Sequence, residues 1–246
     1  MREADLIEKV LADLQACLDT LPARLEHHRV FVATYRRTTA AVGAAVARGD
    51  FEDPGWVERW DVAFAGLYLD ALRAETSGGS PSRPWRLAFS APATEPPLRH
   101  LLFGINAHVN YDLPQALLAV IDDAEFADPR LVAARRRDHE RIDAILASRV
   151  SAEDDELGGH RSVRDRLLTP LNRRASRRFL REARQKVWHN TIELQAARVA
   201  GPDAYERRLA ELEVLSAAKV ADLQAPGQVL LRLAVAGFGV RLPPAA

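Results

Sequence analysis

The chain has 246 residues, 48% of them hydrophobic, with 34 basic and 34 acidic side chains that cancel to a net charge of zero. That length suits one large helical domain or two small ones, and the neutrality argues against nucleic acid as a partner. Cys17 is the only cysteine, which excludes a disulfide framework and a cysteine-based zinc site.

Met1 is followed by an acidic amphipathic segment and not by a basic, apolar leader, so no signal peptide is expected and the cytoplasm is the expected location. No run of 18 uncharged apolar residues occurs, so no transmembrane segment is expected. Residues 3–20 read as an amphipathic helix with Leu6, Val10, Leu14 and Leu18 at helical spacing. After Pro22, residues 24–48 place Phe31, Tyr35, Thr38 and Val42 on one face of a second helix. Pro54 opens a third at the first-turn position it favours. Its inward stripe is Trp56, Trp60, Phe64, Leu67, Tyr68 and Ala71, with Asp61 at the edge. SGGSPSRP at 77–84 is a loop by composition, Trp85 to Phe89 a short helical turn, and APATEPP leads into the longest apolar run, residues 97–121.

Beyond Asp128-Pro129, residues 130–149 form a helix whose inner face is Leu131, Ile142, Ile145 and Leu146, with Asp138 and His139 on that same face. Residues 151–162 are acidic and then Gly-rich, as in an exposed loop. Residues 163–200 are strongly basic and divided by Pro170. Leu180, Ala183, Val187, Asn190 and Leu194 face inward there, and His189 outward. Residues 203–222 form a further amphipathic helix, and 228–240 read as a final apolar one. No alternating run of β-branched residues appears. The expectation is an all-α protein of about eight helices: a single globular bundle, one domain over residues 1–246, built around the buried helix at 97–121.

That central stretch, PLRHLLFGINAHVNYDLPQALLAVID, is apolar nearly all round, the pattern of a buried helix. Inside it lie His100, Asn106, His108, Asn110 and Asp112. His108 and Asp112 share a face at i and i+4, and Asn106 and Asn110 share roughly the opposite one. Both pairs are expected to find partners on surrounding helices, because an unpaired buried polar group costs roughly 1–3 kcal/mol. Pro114 removes a backbone bond to Asn110 and crowds that carbonyl, so a kink or break is expected there.

GINAHVNYDLPQAL resembles the G-x-N-A-H-x-N-x-D-L stretch of an actinobacterial family catalogued as domain of unknown function 5995. PWRLAF at 84–89 and the Arg-rich helix ending in Trp188 are similar to it as well. The resemblance supplies candidate residues and no chemistry.

Two functional classes follow. In the first, the chain is an enzyme or a small-molecule-binding protein with a polar pocket against His108 and Asp112. A His and a carboxylate one turn apart can reach one ion, and helical bundles build metal sites from facing helices. His108, Asp112, Asp138 and Asp61 would then hold zinc, manganese or iron for metal-assisted hydrolysis. His108, Asp112 and His139 are the candidate catalytic groups. Asn106, Asn110, His100, Tyr35, Trp60, Tyr68 and Trp188 are the candidate ligand contacts. The other reading of the same residues is a hydrogen-bond network that fixes helix register. In the second class the chain is a non-catalytic helical scaffold, or an interaction protein docking an acidic partner on its Arg-rich face. Ten Arg or Lys lie between Arg161 and Lys186, against Asp165 and Glu182 alone.

Overall fold

Helix initiation is written locally at most elements. The structure, a computed structural model, describes residues 5–157 and 186–225. Helix α1 (Asp5–Thr20) buries Ile7, Val10 and Leu14. The expected helix over 24–48 divides into a 3-10 turn (Ala23–His28) and α2 (Arg29–Ala47), the tighter turn opening with a bond from Leu25 N–H to the Pro22 carbonyl. In α3 (Pro54–Thr76) the Asp53 carboxylate accepts the Trp56 N–H at 2.9 Å, and Pro54 fills the first turn, where its missing N–H is not needed. Helix α4 (Arg83–Phe89) is the expected short segment.

The central stretch runs as α5 (Pro97–Ala107), a π-helical turn (His108–Asp112) and α6 (Leu113–Val120). The disturbance expected at Pro114 is therefore a widened turn and not a break. Leu113 N–H reaches back five residues to the His108 carbonyl. The wider loop relieves the crowding that a proline ring imposes on the carbonyl four residues earlier.

Helix α7 (Asp123–Ala127) starts with a capping box between Asp122 and Glu125. Helix α8 (Pro129–Leu157) overruns its expected end: 151–157, read as loop from their acidity, stay helical because no Gly or Pro interrupts them. Leu131, expected on the inner face, is 40% exposed, and Val132 packs inward instead. Residues 186–200 are helical (α9), with Val187 and Leu194 buried and His189 exposed as expected. Arg198 of α9 donates to the Leu118 and Ile121 carbonyls, satisfying the end of α6. Gly201, at φ 119°, turns the chain into α10 (Pro202–Gln224). Among the described residues there is no strand, and the architecture is all-α. Most of the basic stretch at 161–186, with Leu180 and Ala183, and the apolar 228–240 lie outside the described residues, as does the side chain of Leu146.

Among the described residues two large apolar cores result, with a smaller cluster of Leu118, Leu194 and Leu212 beside them. One gathers α1, α2, α3, α4, α5 and α10 around Phe31, Tyr68, Trp85 and Phe103. The other joins the end of α2 to α3, α6, α8 and α9 around Trp56, Trp60, Leu117 and Trp188. Phe64 packs against both. Helix α10 closes over α4 and α5, with Gln224 donating to the Leu87 carbonyl and Arg99 to that of Leu223. No described helix is long and apolar enough to cross a membrane.

Candidate functional site

The π-helical turn carries His108 and Asp112, which are 3% and 2% exposed. His108 Nδ1 lies 2.8 Å from Asp112 Oδ2, and the Trp85 indole N–H donates to that same oxygen at 2.8 Å. With the carboxylate ionised, Nδ1 carries the imidazole proton and Nε2 is left as the acceptor. The bond from Trp85 ties α4 to the turn.

Five aromatic rings from α2, α3 and α4 enclose His108. Phe64 stacks on it with ring centroids 3.5 Å apart, and Tyr35 meets it edge-on at 4.7 Å. Trp85 lies at 5.8 Å, and Phe31 and Tyr68 at 6.0 Å. Phe31 fits because Gly104 of α5 has no side chain: a Cβ there would overlap its ring. His28, fully buried at the end of the 3-10 turn, extends the cluster through Phe31, Phe89, Trp85 and Tyr68.

Several buried polar atoms of this cluster have no hydrogen-bond partner among the described residues. They are His108 Nε2, the Tyr35 and Tyr68 hydroxyls, Asp61 Oδ2 and both nitrogens of His28. Asp61 belongs to the cluster because it shares the α3 stripe with Phe64 and Tyr68, three and seven residues on. Buried polar groups are paired in the great majority of cases; unpaired ones also occur elsewhere, at Thr39, Trp60, His100 and Ser216, but here six such atoms belong to one cluster.

Burial dominates the electrostatics. It pulls His108 below its ordinary value, against the hydrogen bond and charge of Asp112. It pushes Asp112 up, against the hydrogen bond and charge of His108 and the Trp85 bond. Asp61 is raised to about 7 by burial alone. The Tyr35 and Tyr68 phenols are held well above their usual range, first by burial, and stay protonated. His28 falls to about 3, first through burial and then through His27 and His100.

The remaining expected site residues are placed elsewhere. Asp138, although buried, accepts the Glu52 and Asp53 backbone N–H groups at 2.8 and 2.9 Å and Arg141 at 2.7 Å, fixing the turn before α3. His139 sits between Trp60 and Trp188, at 5.5 and 5.7 Å, in the second core. His100 lies against His27, ring centroids 4.6 Å apart. Asn106 and Asn110 do not reach neighbouring helices: Asn110 donates to Asn106 Oδ1 at 3.0 Å, and Asn106 to the Leu102 carbonyl at 2.9 Å. Their own helix satisfies them, as i, i+4 amides can. The structure thus brings together His108, Asp112, Tyr35 and Tyr68, with Asp61 on the same stripe as Phe64. Among the described residues no three His, Cys, Asp or Glu side chains are arranged to hold a metal ion, so His108, Asp112, Asp138 and Asp61 do not form one shell.

Sequence reasoning did not single out Trp85, Phe64, Phe31 or His28 for the site. The local signal for His28 was a histidine three residues before Phe31 at the head of an apolar helix. For Trp85 the signal was its place in PWRLAF, which carries nothing about a partner 27 residues away.

A family model described as "Family of unknown function (DUF5995)" matches residues 7–226, most of the chain. No curated protein and no solved structure matches it.

Proposed function

We propose, for a chain that belongs to the family of unknown function DUF5995, that the aromatic cage around His108 admits a small molecule and that His108 acts on it as a general base. The observation that carries this is the state of the imidazole. Nδ1 is committed to a carboxylate that Trp85 holds in place, while Nε2 is buried and unpaired. A base needs one nitrogen oriented by an acid and the other directed at the proton it takes. Asp112 would stabilise the imidazolium that forms, and the Tyr35 hydroxyl, on the ring nearest to His108 after Phe64, would orient the ligand. A metal-assisted route is not the one this geometry favours, because Asp138 spends its carboxylate on backbone N–H groups and Arg141. Phe64, packed into both cores, supports reading the chain as one domain. The free thiol of Cys17 suits the reducing cytoplasm, where we place the protein.

The register-pin alternative has an observation of its own, the Trp85–Asp112–His108 bonds that tie α4 to the π-helical turn. Diethyl pyrocarbonate separates the two, since it acylates bare imidazole nitrogens. Peptide mapping after brief treatment of the native protein should show His108 modified, with exposed His189 as the positive control. Modification of His108 only after unfolding would overturn the ligand-site reading and favour the scaffold.

A further inference from the structure

The unmatched atoms of the cage also restrict what enters it. His108 Nε2 and Asp61 Oδ2 are both sites for a donated hydrogen. Tyr35 and Tyr68 offer hydroxyls that donate or accept, together with the electron-rich faces of their rings. No described Arg or Lys pairs with Asp61 or Asp112. A carboxylate or phosphate would therefore find two phenols to donate to it and two carboxyl groups to repel it. An ammonium group carries three donors, no acceptor and a positive charge, and aromatic faces attract such a cation.

We propose that the cage takes a small organic cation, a protonated amine, with Asp61 as its counter-ion and the Tyr35 and Phe64 rings as its walls. This ligand class rests on the general-base reading above. Asp61 and Phe64 are one turn apart on α3, and Tyr35 packs edge-on against Phe64 with centroids at 5.9 Å. Tyr35 lies near enough to both Asp61 and Asp112 for each to raise its phenol, and its ring meets His108 edge-on at 4.7 Å. A second N–H of the bound ammonium faces His108 Nε2. His108 Nε2 accepts that N–H in the tautomer that Asp112 fixes, and the proton stays on the amine.

Calorimetric titration of the full chain with propylammonium, 1-propanol and propionate, three probes of nearly one size, tests this. Propylammonium is expected to saturate the site about tenfold more tightly than propanol, and propionate to show no binding. In Asp61→Asn the preference for the amine over the alcohol should fall to near unity. The ranking on the wild-type chain decides by itself if a variant does not fold. Propanol or propionate binding as tightly as propylammonium overturns the proposal, as does a preference that survives in Asp61→Asn. If none of the three binds while native His108 is still acylated, the amine proposal falls and the general-base reading stands.

Discussion

Phe64 lies face to face on His108, with ring centroids 3.5 Å apart and planes 5° from parallel. The stacked ring is one of the groups that keep water from the imidazole, and burial is the main reason His108 sits below its ordinary value. Phe64→Leu should therefore raise the His108 pKa toward the ordinary range. It should also lower stability by roughly 1–2 kcal/mol through lost packing. Imidazole NMR titration with a denaturant melt checks both. An unchanged His108 titration would mean that the other four rings suffice to exclude water.

Two aspartates respond oppositely to the same substitution. Trp85 and His108 both donate to one oxygen of Asp112, so Asp112→Asn keeps both bonds by placing its amide oxygen there. It also removes a carboxylate that burial disfavours, so stability should stay within about 1 kcal/mol of wild type or rise. Asp138 uses both oxygens against donors, and Asp138→Asn must aim its NH2 at one of them. That change should lose roughly 1–3 kcal/mol. Urea melts of the two variants decide it, and a clearly destabilised Asp112→Asn would mean that the charge itself holds the turn.

Gly104→Ala should destabilise although alanine is the better helix former. The added Cβ would stand 2.6 Å from Phe31 Cγ, and that ring is wedged among His28, Tyr35, Tyr68, Trp85 and His108. Overpacking of roughly 1–3 kcal/mol outweighs a propensity gain of about 1 kcal/mol. The loss should be smaller when Phe31→Leu is already present, a coupling that a double-mutant cycle measures.

Asp61 and His28 give opposite pH slopes. Asp61, at about 7 when folded against 3.8, keeps a proton that the unfolded chain releases. Its effect destabilises the fold as pH rises from 3.8 to about 7 and is constant above. His28, at about 3 against 6.5, refuses a proton that the unfolded chain takes up, so its contribution is present above 6.5 and is lost as pH falls toward 3. Asp61→Asn should gain stability over wild type at about pH 8 and little at about pH 4, with a ceiling of roughly 4 kcal/mol. His28→Leu should flatten the acid limb. Urea titrations across that range check both, and parallel curves for wild type and variants would refute the two assignments.

Residues three and four apart on a helix determine their relation by themselves, so the sequence alone supplied the helical class, the buried central stretch and the shared face of His108 and Asp112. The burial of Asp138 and His139 was legible for the same reason. What those faces meet depends on side chains brought together from distant parts of the chain, and periodicity carries no information about that. Trp85 reaches Asp112 across 27 residues, and Asp138 bonds to the backbone of Glu52 and Asp53, more than eighty residues away. Only the tertiary structure could send His108 into an aromatic cage and Asp138 to a capping role, though both lie on inward faces. The inward direction is a property of one helix, whereas the partner is a property of how several helices pack.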